Sequence, residues 1–470
     1  PNDFEYVARL TLEVAPTDSV LIFCASRQQT VDVARQLAAR LPAAAAGSLL
    51  HRQRSDLVKE LLQLHSHQLE GDLQLLSKAI VQGAAYHHGG LTTEERELVE
   101  RGYRAKAISV LSCTSTLAAG VNLPARRVVF RSPYLGRDFL TKSQYMQMCG
   151  RAGRAGLDTE GSSFLVLSAA DRSRGAELDA KALENTLSAI GPQDEMTLDR
   201  CLLEACCIGL CATRRDALAF ARRLLLRVTR PDACTDTLIM AALDRLIADR
   251  FLDERSAPPT LTAAAVPGPR EVNVSDSVNG EIKPIGSDAA QEELYERHVV
   301  SPTPFGSSAV QSCFTIDEAR MMRDELQHMQ RHGLVLGDDL HMCYFLTPPK
   351  DLGAECDWGV YLSEFQRLSP MRTQIAEALG VNEGYIHQRT MGLIPPISPR
   401  EQFTTRRFFA ALILSDVLSE VPMMSIEQRF CVTRGHVQSL MKNASIFSSS
   451  ITNFCAAMGW WSLEALFTSF

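Results

Sequence analysis

The sequence predicts an α/β fold with a parallel sheet in its first 175 residues, followed by a winged helix and a mostly α-helical bundle. Two observations predict this order. Short apolar runs alternate with amphipathic segments early in the chain, and the pattern becomes helical after about residue 185. Such alternation is typical of a parallel sheet covered on both faces. Ligands of such sheets bind where the strands end, so we expect functional residues in the loops that follow the strands.

The first part of the chain contains five segments that predict strands and two that predict helices. Amphipathic segments 27–40 and 92–104 predict helices, and the second opens with Thr92-x-x-Glu95, the pattern of a capping box. The predicted strands are 19–26, 79–88, 107–115, 126–133 and 162–168. We assign this α/β domain to residues 1–175.

The later part of the chain predicts two helical domains. The segment 236–255 has apolar residues at helical spacing and ends in a strand-like Phe251-Leu252, which resembles the second half of a winged helix. Residues 256–296 have few large apolar side chains and predict a disordered insertion where a wing should be. Helical patterns then continue to the end of the sequence. We assign the winged helix to 185–310 and the truncated helical domain to 311–470.

Length and composition limit the classes of function. A chain of 470 residues accommodates two to four domains, and 46% hydrophobic with 22% charged residues is globular. No run of 18 apolar residues exists, so no membrane span is predicted. A net charge of −7 argues against a surface that binds polyanions everywhere, but it allows a local basic groove. The opening at Pro1 and the amphipathic ending suggest a fragment at both ends.

The cysteines and histidines do not predict a metal site. The thirteen cysteines include no Cys-x-x-Cys pair, and the dense group in 201–211 is more consistent with buried helical thiols in a reducing compartment than with a metal or iron–sulfur site. Adjacent His87 and His88 lie at the end of a predicted strand, where neighbouring side chains point in opposite directions, so the two do not suit one metal ion.

Two stretches have the residue types that bind phosphate. The predicted strand 107–115 leads into Thr114 and Ser115 and then to Gly120 and Asn122. Hydroxyl groups and backbone N–H groups at a strand end can hold phosphate oxygens, and a glycine lets the backbone approach closely. The alternative is a helix cap followed by a glycine turn.

The second stretch is QMCGRAGRAG at 147–156, in which Arg151 and Arg154 stand among glycines Gly150 and Gly153, after Gln147. The spacing predicts that both arginines lie on one face of a helix-like turn. A guanidinium group is always charged and can bind two phosphate oxygens at once. The alternative is two arginines on an ordinary solvated surface.

These stretches resemble known motifs. TSTLAAGVNLPARRV and QMCGRAGRAG resemble motifs V and VI of superfamily-two helicases, and SVLIFCASR is similar to motif IV. The motif sequences are most similar to those of DNA helicases of the HELQ type and of the helicase half of DNA polymerase theta. The resemblance covers most of 1–255 and resumes over 300–470, where 431–455 is similar to the helical ratchet domain.

The resemblance implies a RecA-like lobe and assigns roles to the residues of motifs V and VI. Arg151 and Arg154 would be arginine fingers that reach the γ-phosphate of ATP held by a partner lobe, a role worth ~10³–10⁵ in rate. Gln147 would line the same cleft, and we include Gly150 and Gly153 among the residues around the nucleotide.

The other implied roles concern the link to nucleic acid and its path. Gly120 and Asn122 would couple the nucleotide to the nucleic acid. Thr114 and Ser115 would lie near a backbone phosphate, and so would the turn with His87 and His88.

The resemblance also implies a wedge that separates the strands of a duplex. Between motifs V and VI, RSPYLGRDFLTKSQY at 131–145 would form a β-hairpin. Tyr134 and Phe139 could stack on the last base pair, which is worth ~1–3 kcal/mol per base. The alternative is that both rings pack within the hairpin.

Two elements that such a helicase needs are absent from the sequence: a Gly-x-x-x-x-Gly-Lys-Ser/Thr phosphate loop and an acidic motif that holds Mg²⁺. Both belong to the first RecA-like lobe, which would bind most of the ATP and Mg²⁺. We therefore predict that this chain alone does not hydrolyse ATP.

The longer protein would be an ATP-dependent 3′–5′ DNA helicase of DNA repair, located in the nucleus. Its partners would be single-stranded and forked DNA and the missing lobe. The alternatives are a non-catalytic nucleic-acid-binding adaptor derived from a helicase half, and a related RNA helicase.

Overall fold

The computed structural model describes residues 3–65, 71–117, 121–153, 160–191, 197–256, 298–335, 337–349, 356–394, 396 and 398–469. The predicted insertion at 256–296 lies outside these ranges except for its first residue. Among the described helices, none has both the length and the apolar character needed to cross a bilayer.

The first domain is an α/β lobe, which confirms the predicted fold class. Its strands are β1 (Val20–Phe23), β2 (Ala84–His87), β3 (Val110–Cys113), β4 (Arg127–Phe130), β5 (Tyr134–Leu135), β6 (Asp138–Phe139) and β7 (Ser162–Leu165). Its helices are α1 (Asp3–Leu12), α2 (Arg27–Ala38), α3 (Leu49–Leu64), α4 (Asp72–Gln82), α5 (Thr93–Arg104), α6 (Lys142–Cys149) and α7 (Arg172–Ala180).

Five strands form one parallel sheet in the order β2-β3-β1-β4-β7. Strand β1 shows why the sheet is buried on both faces. Val20 and Ile22 belong to the core on one face with α1, whereas Leu21 and Phe23 belong to the core on the other face. Because side chains alternate along a strand, a continuous apolar run is what a strand covered on both faces requires.

The strand predicted at 79–88 is confirmed only in its second half. Residues up to Gln82 complete α4, and only Ala84–His87 form a strand. Gly83 separates the two elements: its φ of +89° ends the helix in the left-handed conformation that glycine adopts without strain. The predicted capping box of α5 is confirmed, since Thr92 and Glu95 each accept a hydrogen bond from the other's backbone N–H.

The second domain combines helices with a two-stranded antiparallel wing. Its elements are α8 (Leu198–Cys207), α9 (Arg214–Arg222), α10 (Leu225–Thr229), α11 (Asp236–Ala248), β8 (Leu252–Ser256) and β9 (His298–Pro302). Strands β8 and β9 pair from Leu252–Pro302 to Ser256–His298, so the wing brackets the stretch 257–297.

The third domain is helical. Helix α12 (Pro304–Gln311) follows the wing and ends at the predicted boundary, and the elements of the third domain are α13 (Ile316–His332), α14 (Leu340–Leu346), α15 (Trp358–Gln366), α16 (Pro370–Leu379), α17 (Glu383–Thr390), α18 (Pro399–Leu418), α19 (Met423–Phe430), α20 (Arg434–Ala457) and α21 (Trp461–Ser469). One continuous core runs from the second domain into the third, with Phe305 packed against both Phe251 and Phe454. The domain boundaries given above stay a prediction.

Candidate nucleotide and nucleic-acid site

The residues predicted to bind phosphate lie at opposite edges of the sheet. Thr114 follows the last residue of β3, at the edge where all five parallel strands end. Arg151 lies beside Ala125, two residues before β4 begins, and therefore at the edge where the strands start. Arg151 therefore does not lie in a loop that follows a strand, where we expected functional residues. Motif V crosses from one edge of the sheet to the other.

The segment that contains Arg151 is held by backbone pairing with Ala125 and by the turn that ends α6. Ala125 donates its N–H to the carbonyl of Arg151 at 2.8 Å, and Gly153 donates to the carbonyl of Ala125 at 2.7 Å. Ala125 and Ala152 thus form a parallel bridge, and Gly153 has a φ of +91°. Helix α6 ends at Cys149, and Arg151 lies in the helix-like turn that follows, where its N–H donates to the carbonyl of Met148 at 3.0 Å. Arg154 lies outside the described residues.

A second glycine keeps this pairing close. A Cβ atom at Gly161 would lie 2.5 Å from the carbonyl carbon of Ala152 and 2.5 Å from the nitrogen of Gly153. No side chain fits between these backbones, so the start of β7 and the segment 151–153 are fixed against each other. Arg151 is half-buried at this place.

Helix α6 presents Gln147 to solvent. Thr141 and Gln144 form a capping box at its start, and the carboxylate of Glu184 accepts the N–H groups of Lys142 and Ser143, each at 3.1 Å. Gln147 and Gly150 are exposed. The predicted cleft residues Gln147, Gly150 and Arg151 therefore lie within one short, anchored stretch that a second lobe could approach.

Motif V begins with hydroxyl groups at the carboxyl edge. Thr114 donates its N–H to the carbonyl of His87 at 3.3 Å, and its hydroxyl lies 3.0 Å from that of Thr116. Thr114 and Ser115 are half-buried, and Asn122 is exposed. Gly120 lies outside the described residues, so its predicted role is not addressed.

His87 and His88 are both buried and point to different partners. His87 Nε2 lies 3.0 Å from Glu100 Oε1, and burial lowers the pKa of His87 despite this carboxylate. His88 stacks on Tyr86, and its Nδ1 accepts the N–H of Gly90 at 3.1 Å.

Burial, with a smaller contribution from the Arg27 guanidinium, lowers the pKa of His88 to about 4. In this conformation neither imidazole of the pair is offered to a nucleic-acid backbone. What lies at the surface of the turn is Gly89, the residue that follows them.

The predicted hairpin exists, but its aromatic side chains are not at its tip. Tyr134 and Phe139 pair across β5 and β6 in an edge-to-face contact at 5.5 Å. The Tyr134 hydroxyl donates to Asp171 at 2.6 Å, and the Arg174 guanidinium lies 4.1 Å from the centre of the Phe139 ring. These contacts tie both rings to α7 and its N-cap residue, so the aromatic wedge is not formed in this conformation. The exposed tip is 136–138.

The sequence reasoning missed two basic residues. Arg27 follows β1 at the carboxyl edge, is exposed, and lies close enough to His88 to lower its pKa. The sequence could have indicated Arg27, because it is the last residue of the stretch that resembles motif IV. Arg434, at the start of α20, contacts the lobe through Glu95 at 3.0 Å. Within the described ranges no cluster of three or more His, Cys, Asp or Glu side chains could hold a metal ion.

Comparisons with known protein families agree with this architecture. Residues 61–156 match the helicase conserved C-terminal domain, 161–253 match a helix-turn-helix domain, and 317–470 match the helical domain of the DNA polymerase theta helicase-like region.

Proteins similar to this chain are named helicases or DNA polymerase theta. The helicase POLQ-like of Homo sapiens is 30% identical over 473 residues, which are 99% of this chain and 39% of that protein. DNA polymerase theta of Mus musculus is 30% identical over 496 residues, covering 100% of this chain and 18% of that protein. The ATP-dependent DNA helicase Hel308 of Pyrobaculum calidifontis is 42% identical over 171 residues, which are 35% of this chain and 23% of that protein. The chain thus spans less than half of each relative.

Proposed function

The chain belongs to the superfamily-two helicases of the POLQ-like type, and on that premise we propose that it provides half of an ATPase site and part of a single-strand path in an ATP-dependent 3′–5′ DNA helicase. The direction of movement comes from the family resemblance. A role in DNA repair, and with it a nuclear location, is proposed from the kinship with the DNA polymerase theta helicase region.

The observation that supports the proposal is that the sheet separates two regions whose residues are predicted to bind phosphate. At the starting edge, Arg151 is held by the pairing of 151–153 with Ala125. At the carboxyl edge, Thr114, Ser115 and exposed Arg27 surround the strand ends. A sheet with one phosphate-binding group at each edge can respond to a nucleotide on one side and bind nucleic acid on the other.

In this mechanism Arg151 supplies positive charge to the phosphoryl group as it leaves ATP. Arg154 would act with it, and Gln147 would orient groups in the cleft. ATP and Mg²⁺ would be bound mainly by a first RecA-like lobe, because the chain has no phosphate loop. Motif V contains both Thr114 and Ala125 and therefore links the two edges along the chain.

The wedge is proposed to act through the exposed tip 136–138 and not through ring stacking. Gly136 has a φ of +61°, which allows a tight turn, and Arg137 and Asp138 are exposed. Tyr134 and Phe139 support that tip from behind by their contacts with Asp171 and Arg174.

The test uses a polypeptide that joins this chain to a first RecA-like lobe with its phosphate loop. Arg151→Ala is expected to lower DNA-stimulated ATP turnover by ~10³–10⁵, because the charge on the transferred phosphoryl loses its partner. The control is Arg245→Ala, which removes an exposed arginine of the winged helix that pairs with Asp199. A loss below tenfold for Arg151→Ala would exclude Arg151 from the ATPase site. Turnover by this chain alone would contradict the half-site proposal.

A further inference from the structure

The loop 88–91, which follows β2, touches the start of α20 through its backbone. Gly435 donates its N–H to the carbonyl of Gly90 at 3.1 Å. A Cβ atom at Gly435 would lie 2.5 Å from the carbonyl oxygens of Gly89 and Leu91. A methyl group at this position would collide with two backbone atoms of the loop, so the close approach requires glycine.

A buried ion pair lies beneath this contact. Glu95 is fully buried and accepts a hydrogen bond from Arg434 Nε at 3.0 Å, while His65 Nε2 lies 3.0 Å from the same carboxylate. Arg434 is also buried and binds Glu427 at 2.5 Å. A buried carboxylate is costly unless it is paired. The lobe supplies the carboxylate, and the helical domain supplies its guanidinium partner.

Glu95 connects this pair to the shape of the loop. Its other oxygen accepts the N–H of Thr92 at 2.9 Å and thereby closes the capping box of α5. Burial raises the pKa of Glu95, but its bonds to His65 and Arg434 outweigh burial and leave that pKa below its usual value. The carboxylate is therefore ionised and binds both the end of the loop and the helical domain.

Within the lobe the loop is fixed by the buried side chains of His88 and Leu91, and its two glycines lie on the side of the helical domain. Two of its four residues are glycines, which have the largest conformational freedom. Within the loop, the N–H of Gly90 donates to His88 Nδ1 and that of Leu91 to the carbonyl of His88. On the side of the helical domain, the Thr433 methyl group would be 3.4 Å from a Cβ atom at Gly90.

We propose that Arg434 and Gly435 are positioning residues, which hold loop 88–91 at the carboxyl edge in the conformation that contacts a nucleic-acid backbone. The inference rests on the proposed function, since it assigns that edge to nucleic acid. It adds that the affinity of the lobe for a single strand depends on the docking of the helical domain.

The experiment removes the charges of the Glu95–Arg434 pair and keeps the capping box at the start of α5. Glu95→Gln removes the ion pair, but glutamine at this position still closes a capping box. Arg434→Met removes the guanidinium, and Arg434→Lys keeps a charge. The matched control is Glu204→Gln, which breaks an ion pair of similar length, 2.7 Å to Arg200, within the winged helix.

Hydrogen exchange tests the docking without any ligand. The Gly435 amide is expected to exchange at least ~10-fold faster in Glu95→Gln and Arg434→Met than in the unchanged chain, because the contact opens more often. Glu204→Gln should leave that amide unchanged. Equal exchange in all variants would overturn the proposed contact.

Binding of a fluorescent single-stranded oligonucleotide over a range of salt concentrations tests the positioning role. We expect Glu95→Gln and Arg434→Met to weaken binding several-fold and to leave the slope of log K against log salt unchanged, because the loop has no charged side chain that neutralises a phosphate. Arg434→Lys should recover part of the affinity.

The possible failures are distinguishable. Faster exchange with an unchanged affinity would overturn the positioning role and leave the proposed function intact. Absence of binding by the unchanged chain would overturn the proposed function, and the positioning role with it.

Discussion

Helix α20 contacts two other parts of the molecule, and the two contacts have opposite chemistry. Along its length, Phe447 and Phe454 pack against Phe305 and Phe314 of the segment that follows the wing. At its start, Arg434 and Gln438 bind Glu95 and Glu94 of the lobe. The first contact joins two domains into one apolar core, whereas the second depends on charge and on a close backbone approach.

This difference suggests which parts of the molecule move together. Apolar burial is not directional, and separating the two domains would expose the apolar surface of their shared core to water. An ion pair and a few hydrogen bonds hold one geometry and are lost together when that geometry changes. We therefore expect the winged helix and helical domain to behave as one unit, and the lobe to be the separable partner.

The largest effect is expected in the apolar contact. Phe454 is fully buried among Phe305, Phe314 and Trp460. Phe454→Ala should lower the free energy of unfolding by ~3–5 kcal/mol in urea titrations, because it leaves a cavity in the shared core. Ile446→Ala on the exposed side of the same helix, where Ile446 is 58% exposed, is the control and should change it by no more than about 0.5 kcal/mol. Similar losses for the two variants would contradict a merged core.

Acid should weaken the polar contact between the lobe and α20 through His88. This residue supports the loop 88–91, which forms part of that contact. The folded pKa of His88 is about 4, below the value of about 6.5 in an unfolded chain. Between these values the unfolded chain binds more protons, so stability is present above about pH 6.5 and is lost as the pH falls toward 4.

From pH 7.5 to pH 5 the His88 contribution is expected to fall by about 2 kcal/mol. Urea titrations of the unchanged chain and of His88→Asn at both pH values would measure it. Asparagine does not titrate, so the variant should lose less stability on acidification. An equal loss in both proteins would mean that His88 is not held neutral.

The smallest effect is expected at the rim of the polar contact. Gln438 Nε2 donates to both carboxylate oxygens of Glu94, at 2.8 and 3.1 Å, but this bond is exposed. Gln438→Ala should cost only ~0.5–1 kcal/mol in the same titrations, because water replaces an exposed hydrogen bond. A loss as large as that of Phe454→Ala would show that the rim, and not the buried pair, carries the contact.

Local sequence patterns predicted local structure, but they could not predict which distant residues contact each other. Thr92-x-x-Glu95 predicted the start of α5, since a capping box involves residues three apart. The second role of Glu95 depends on Arg434, 339 residues later, and no local pattern reports such a partner. Helix α3 (Leu49–Leu64) was not predicted either, although Ser48 caps it.

The candidate site shows the same limit. Motifs V and VI were recognised from their residue types, but the sequence did not reveal that Thr114 and Arg151 lie at opposite edges of the sheet. That separation follows from strand order and from the pairing of Ala125 with Ala152. The aromatic residues Tyr134 and Phe139 were found, but their partners on the segment 171–174 were not, because those contacts are tertiary.

The central claim is that nucleic acid binds at the carboxyl edge of the sheet, away from Arg151. Photo-crosslinking of this chain to a single strand that contains 5-bromodeoxyuridine, followed by mass spectrometry of the peptides, tests it directly. We predict crosslinks in the loop 88–91, the segment 114–117 and the hairpin tip 136–138. Crosslinks confined to 151–153 and the strand starts would contradict the claim.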